Sequence, residues 1–359
     1  MSSLAITSLS KSYGAFKVFE GLDLTADAGE IVVIFGGSGT GKTILLRLIA
    51  GVEEPTSGRI ELNGEDAADI APEHRGIGMA FQNFALFPHM SASENIAAPL
   101  RASKSSEDMV AKGVARVAKL LKIDHVLSHA PRELSNGQKQ RTALARALAA
   151  EPKILLLDDP LRNVDAKLRF EMRLELPRLL RQSRATVLYV TQDYKEAMAL
   201  ADRIAVLAGG KFVQLASPDD IYLRPATLNV AKLFGDPSIN TVETEVTVSG
   251  KQAHVNIHGA SVAISTADAC HAGRRLVFAV RPEAVTLSDK GRGLECSVTA
   301  VTPLNERVVL LLKSKGGWEF LASLPSSAKT PQPGTALKAT FEPSGTHLFD
   351  LATGERLHG

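Results

Sequence analysis

The stretch Gly36-Gly37-Ser38-Gly39-Thr40-Gly41-Lys42-Thr43 constrains this 359-residue chain most. An apolar run, Ile31-Val32-Val33-Ile34-Phe35, precedes it, and Ile44-Leu45-Leu46-Arg47-Leu48-Ile49-Ala50 follows, ending at Gly51. The pattern G-x-x-x-x-G-K-[ST] between strand and helix is the context of a phosphate-cradling loop. Its glycines let the backbone wrap closely enough for N–H groups to face phosphate oxygens, and the new helix adds the positive end of its dipole. In that arrangement Lys42 meets the β- and γ-phosphates as a point charge, and Thr43 offers its hydroxyl to Mg²⁺. A glycine-rich turn without a ligand is the bland alternative, and it leaves Lys-Thr at the helix start unexplained.

Composition excludes several other classes. Lys plus Arg (41) nearly balance Asp plus Glu (39), so no global charge argues for nucleic acid. Cys270 and Cys296 are too few and too far apart for a zinc cluster, and a disulfide is not expected in a chain that reads as cytosolic. The opening Met1-Ser2-Ser3-Leu4 does not read as a signal peptide. No apolar run approaches the roughly 20 residues of a membrane span, so work at a membrane needs partners that supply the spans.

Before the loop, strand-like segments fall around Leu4–Leu9 and Val18–Leu24, with Tyr13 between them. An aromatic there either stacks on adenine or packs at a turn. After it, Arg59–Leu62 with Asn63-Gly64 reads as a hairpin, and the strand from His74 to Phe81 ends at Gln82. Asn83-Phe84-Ala85-Leu86-Phe87-Pro88-His89-Met90 is apolar and proline-broken; if exposed, it is a docking surface rather than core. Ser105–Ile123 places Val110, Val114, Val117 and Leu121 on one helical face. Ser135-Asn136-Gly137-Gln138 is a capping box before the helix Thr142–Ala150 and offers bare N–H groups to an anion, though such caps also start ordinary helices. Ile154-Leu155-Leu156-Leu157-Asp158-Asp159 reads as a buried parallel strand with carboxylates at its carboxyl end, the edge where ligands of open α/β sheets bind. Asp158 is the expected Mg²⁺ partner opposite Thr43. Thr186–Val190, ending in Thr191-Gln192-Asp193, is another such strand.

Together these segments resemble the ATP-binding subunits of ABC transporters. Gly36–Thr43 is similar to Walker A, Gln82 to the Q-loop, Leu134–Gln138 to the signature, and Leu155–Asp158 to Walker B. Leu161-Arg162-Asn163-Val164-Asp165 is similar to the D-loop, and Gln192 occupies the H-loop position. The resemblance implies an α/β P-loop (RecA-like) ATPase domain over 1–235 with a helical subdomain at about 83–150. It implies ATP and Mg²⁺ as ligands, with Thr43, Gln82 and Asp158 around the metal.

Past Gly235-Asp236-Pro237 come short alternating strands: Thr241–Val248, Ala253–Ile257, Leu276–Arg281, Leu294–Thr302, Val308–Leu312 and Ala336–Phe341. These suggest a small barrel over 236–359. Phe278–Glu283 and His347–Asp350 resemble the OB-like TOBE domain of sugar-importer ATPases of the maltose, multiple-sugar and glycerol-3-phosphate type.

Departures from that pattern sharpen the expectation. Asp159 stands where the family has the glutamate that polarises the attacking water, and a displacement of about 1 Å can slow a reaction about 10²-fold. Gln192 replaces the histidine that bonds the γ-phosphate; an amide donates a hydrogen bond but carries no charge. Asn136 replaces a signature glycine, Arg162 takes a small polar D-loop position, and Pro177 is expected to kink its helix. The resemblance implies head-to-tail ATPase pairs, with Ser135, Asn136, Gly137 and Gln138 capping the partner's site and Asp165 in the D-loop. Further partners are two transmembrane permease subunits docked at Phe84, Leu86, Phe87 and Met90, and indirectly a periplasmic substrate-binding protein. The site is the cytoplasmic face of the inner membrane. With Asp159, Gln192 and Gln82 as hydrolytic residues, three readings remain: the weak half of a heterodimer in a carbohydrate or polyol importer, an active homodimeric sugar-importer ATPase, or a regulatory nucleotide-binding module.

Overall fold

The computed structural model describes residues 2–250 and 252–357. The chain divides between residues 218 and 219 into two compact units. In the first, β1 (Ser2–Tyr13), β2 (Phe16–Asp27), β3 (Ile31–Phe35), α1 (Lys42–Ala50), β4 (Ser57–Leu62), β5 (Glu65–Asp66) and β6 (Ile77–Ala80) come first. Three helices follow, α2 (Ala92–Ala102), α3 (Glu107–Leu120) and α4 (Asn136–Ala149). The unit finishes with β7 (Ile154–Asp158), α5 (Ala166–Ser183), β8 (Thr186–Thr191), α6 (Tyr194–Leu200), β9 (Arg203–Ala208) and β10 (Lys211–Ala216).

Two sheets organise these elements. An antiparallel sheet in the order β2-β1-β4-β5 carries the hairpin at Asn63-Gly64, where both residues take the positive φ such a two-residue turn requires. The central sheet runs β10-β9-β3-β8-β7-β6, with β9, β3, β8, β7 and β6 parallel and β10 antiparallel at one edge. Strands β3, β7 and β8 are buried at every position, which is why their sequences are apolar without alternation. Because β8 lies between β3 and β7, Phe35 pairs with Thr191 and Asp158 with Val190. The residues after all three strands therefore emerge at one edge of the sheet. Helices α2, α3 and α4 pack together, and Val110, Val114 and Val117 of α3 are buried as their helical spacing requires. Helix α5 is continuous through Pro177. Among the described residues, no helix is long and apolar enough to cross a membrane.

The second unit begins within α7 (Pro218–Leu223), continues through α8 (Leu228–Leu233), and is otherwise antiparallel β structure. One sheet is formed by β11 (Asn240–Ser249), β12 (Gln252–Ile257), β13 (Ala260–Ala263) and β14 (Arg275–Val280). The other contains β15 (Val285–Ser288), β16 (Leu294–Pro303), β17 (Arg307–Ser314), β18 (Glu319–Pro325) and β19 (Ala336–Phe341). Strands β20 (Thr346–Asp350) and β21 (Arg356–Leu357) extend the first sheet beyond β14. The two sheets enclose one apolar core in which Trp318 stacks on Phe320 at 4.5 Å and donates its indole N–H to Thr241 O.

The division at 218/219 lies ahead of the boundary at 235 expected from sequence. Its physical cause is Arg281, which is buried after β14 and donates to the carbonyls of Tyr222, Ala231 and Phe234, while its guanidinium covers the Tyr222 ring. Ala231 also packs on Val277, Ala279 and Phe349. Both helices thereby join the second unit.

Candidate functional site

The loop after β3 wraps the N-terminus of α1. Gly41 has φ 94°, and a Cβ there would lie 2.5 Å from Val18 Cγ1, so glycine is required twice over. Lys42 is only 6 % exposed, and its ammonium donates to the carbonyl oxygens of Gly36 (2.8 Å) and Gly37 (2.6 Å). Burial lowers its pKa, while the nearby carboxylates of Asp159 and Asp158 oppose that shift. The ammonium also donates to Thr40 Oγ1 at 3.4 Å; a buried cation held only by neutral oxygens is poised to exchange them for an anion.

Thr43 Oγ1 donates to Asp158 Oδ1 at 3.0 Å, although β7 and α1 are far apart in sequence. Burial raises the Asp158 pKa, and the Thr43 hydrogen bond opposes it. Hydroxyl and carboxylate oxygens are hard donors that suit Mg²⁺. Among the described residues, no group of three or more His, Cys, Asp or Glu could cage a metal. The donor set thus fits an ion that shares its coordination with phosphates and water.

A cleft of about 280 Å³ gathers Ser38, Gly39, Thr40, Gly41, Lys42, Thr43, Gln82, Asp158, Asp159 and Gln192, as well as Arg162. Asp159 sits in the left-handed region at φ 44°, its N–H donating to Val190 O at 2.9 Å and its carbonyl accepting from Arg162 N. That reversal brings the Arg162 guanidinium within 3.7 Å of the Asp159 carboxylate. Burial pushes the Asp159 pKa up; Arg162 is the main opposing charge, and Asp158 adds to the rise. Gln192 is exposed, and its amide has no hydrogen-bond partner among the described residues.

Other expected site residues lie elsewhere. Tyr13 does not line the cleft; its hydroxyl bonds the Glu53 carboxylate, and Lys11 covers its ring. At the start of α4, Ser135 Oγ accepts from Gln138 N and Gln138 Oε1 accepts from Ser135 N, completing the capping box. Asn136 opens that helix, and Gly137 leaves room for Leu168, whose Cδ2 would lie 2.5 Å from an added Cβ. None of these four lines this chain's own cleft. Asp165 caps α5 by accepting from Leu168 N at 2.9 Å.

The apolar loop after Gln82 is held from beneath. Asn95, fully buried, accepts from Phe87 N and donates to the carbonyls of Phe87, Met90 and Ser91. Arg146 donates to the carbonyls of Phe84 and Ala85, both at positive φ. Phe87 is exposed; Phe84, Leu86 and Met90 are half-buried; Phe81, just outside the expected patch, is exposed as well.

Three contacts escaped sequence reasoning. Arg162 pairs with Asp159, Asn163 donates to Gln82 O at 2.8 Å, and buried Glu196 accepts from Tyr189 and Thr191 behind the cleft. Only the i,i+3 spacing of the first was a usable signal.

The geometry defines a P-loop ATPase, with a phosphate loop, a metal pair and a carboxylate at one edge of a parallel sheet. Residues 19–162 match the family described as ABC transporter, and residues 278–349 match the TOBE domain. The chain is 39% identical to the alpha-glucoside transport ATP-binding protein AglK of Rhizobium meliloti, over 98% of each chain. It is 40% identical to the sn-glycerol-3-phosphate import ATP-binding protein UgpC of Cereibacter sphaeroides, over 99% of this chain and 100% of that one. The UgpC of Escherichia coli is 37% identical over the same shares. CbiO1 of Clostridium perfringens, part of the ABC transporter complex cbiONQ, superposes with TM-score 0.57 at 27% identity, covering 61% of this chain and 90% of that one. The chain belongs to the ABC transporter ATP-binding proteins. It binds ATP with Mg²⁺ and hydrolyses it.

Proposed function

We propose that the chain energises an importer of a carbohydrate or polyol, and that its own nucleotide site is the slower half of an ATPase heterodimer. The cargo class is supported by the names of relatives matching along the whole chain. On this reading the protein sits at the cytoplasmic face of the inner membrane. There, Phe84, Leu86, Phe87 and Met90 seat a short coupling helix of one permease subunit, and a periplasmic binding protein delivers cargo.

In the cleft, Lys42 and the loop N–H groups hold the β- and γ-phosphates, while Thr43, Asp158 and Gln82 hold the metal. Mg²⁺, when bound, supplies charge neutralisation for the phosphates. Asp159 is the carboxylate available to orient the attacking water, and Gln192 offers one amide donor to the γ-phosphate. The observation that carries the reading is the Arg162–Asp159 ion pair at 3.7 Å, whose positive charge opposes the basicity of the carboxylate that the water needs. Ser135–Gln138 then serve the partner's site.

The test is ATP turnover of the assembled transporter for single variants. Ser135→Ala should slow it more than Asp159→Ala, because the first disables the fast site and the second the slow one. If Asp159→Ala abolishes turnover while Ser135→Ala leaves it intact, the heterodimer reading is wrong and an active homodimer replaces it.

A further inference from the structure

The second unit contains a cavity of about 250 Å³, distinct from the nucleotide cleft, lined by Asp268, Thr346, His347 and Arg356 together with apolar Phe278 and Leu348. That is room for roughly eight water-sized groups at about 30 Å³ each. Arg356 and Asp268 are both half-buried, and neither side chain makes a hydrogen bond or an ion pair among the described residues. His347 is 5 % exposed, and its Nδ1 is buried without a partner.

Native interiors rarely leave such groups unsatisfied, and a cation, a carboxylate and an imidazole around one cavity call for a common partner. Burial lowers the pKa of Arg356 and raises that of Asp268, and although the two attract each other and His271 also acts on Asp268, burial remains the larger influence on both. His347 is neutral at physiological pH because burial depresses it, and the two charges acting on it, Arg356 and Arg281, are both positive. A ligand that relieves all three carries an anionic oxygen for the guanidinium and hydroxyl donors for the carboxylate. Neutral polyols lack the first, and inorganic phosphate lacks the carbon-bound hydroxyls.

We propose that this cavity is a binding site for a small hydroxylated anion, a polyol or sugar phosphate or a hydroxy acid, its anionic group on Arg356 and its hydroxyls on Asp268 and His347. The site lies wholly within the second unit, and it stands whether or not the ATPase works as a heterodimer.

Calorimetric titration of the full-length chain tests it, with the nucleotide cleft first saturated by a non-hydrolysable Mg–ATP analogue so that phosphates cannot bind at Lys42. The titrants are glycerol 3-phosphate, glucose 6-phosphate, gluconate, glycerol and inorganic phosphate. At least one of the three hydroxylated anions should bind saturably, at least about tenfold tighter than glycerol or phosphate. Strength with the two phosphate esters but not gluconate assigns a phosphate group, and the reverse assigns a carboxylate. Arg356→Gln should weaken that binding about tenfold or more, with the affinity for the ATP analogue unchanged. Asp268→Asn is the second variant, expected to weaken the hydroxylated anion while leaving phosphate alone. No saturable binding up to about 10 mM, phosphate binding as well as the hydroxylated anions, or unaltered affinity in both variants overturns the proposal.

Discussion

Replacing Arg162 by serine should raise the rate at which this chain's own site hydrolyses ATP. The guanidinium lies 3.7 Å from the Asp159 carboxylate, and unit charges at that separation attract by about 4 kcal/mol at an effective dielectric near 20. The Arg162 side chain is 48 % exposed, so water screens most of this, leaving roughly 1–1.5 kcal/mol, near the upper end for surface pairs. Without Arg162 the Asp159 carboxylate therefore becomes more basic. A stronger base should increase turnover by roughly three- to tenfold. The sign of the pH effect follows. Burial already raises the Asp159 pKa and Arg162 opposes it, so the variant's acidic limb should move to higher pH. The assay is steady-state phosphate release at saturating Mg–ATP across pH 5–9. A fall in kcat of tenfold or more would refute the reasoning, because it would place Arg162 on the phosphates as a transition-state cation. An unmoved acidic limb would show that the pair does not tune Asp159.

Three further outcomes are expected. Lys42→Ala removes a buried ammonium and with it one or more charge-assisted hydrogen bonds of about 1.5–3 kcal/mol each, so Mg–ATP affinity by calorimetry should fall at least about tenfold; equal affinity would contradict the assignment. Arg281→Met strands the carbonyls of Tyr222, Ala231 and Phe234 and should destabilise the second unit by about 3 kcal/mol or more, read by urea unfolding on Trp318 fluorescence. His347 is held down at a pKa of about 4 by burial, so below about 6.5 the unfolded imidazole takes a proton that the folded one refuses. Stability contributed by this residue is therefore full above that pH and falls by about 3 kcal/mol as pH drops to about 4. His347→Gln should flatten the corresponding acid arm of the Trp318 transition, and an identical arm in variant and parent counts against it.

The parts of the site carried by buried parallel strands were legible in the sequence. Strands β3, β7 and β8 are buried throughout, so their apolar runs mark where each strand ends at the sheet edge, and the phosphate-loop motif and the family resemblance then placed Gly36, Asp158 and Gln192 there. The capping box at Ser135 was legible for a similar reason, since its chemistry is local. What depends on backbone reversal was not. Arg162 reaches Asp159 only because Asp159 adopts φ 44°, a conformation that no residue pattern announced. That α7 and α8 join the second unit was not legible, because the tie is a single buried arginine distant in sequence from the helices it holds. Strands β13, β15 and β18 were missed because they are short or interrupted by Ser and Pro, and the Tyr13–Glu53 bond depends on tertiary proximity.

The weakness proposed for this site lies at the attacking water and not in the phosphate cradle. The cradle is complete: Lys42 is buried at the loop, Thr43 meets Asp158, and Gly41 makes the close turn. On the proposed reading, the groups that differ from the family pattern, Asp159 and Gln192, serve the attacking water and the γ-phosphate, while Lys42 and Thr43 carry most of the phosphate and metal binding. The signature stands apart from both. Ser135 and Gln138 satisfy each other at the start of α4, Gly137 admits Leu168 beneath the helix, and none of them lines this chain's cleft. On the proposed reading, binding, hydrolysis and capping thus fall to three separable sets of residues. A chain built this way can lose speed at its own water without losing affinity for ATP or the surface that closes a neighbour's site. That is the physical condition under which an unequal pair of ATPase subunits remains a working transporter.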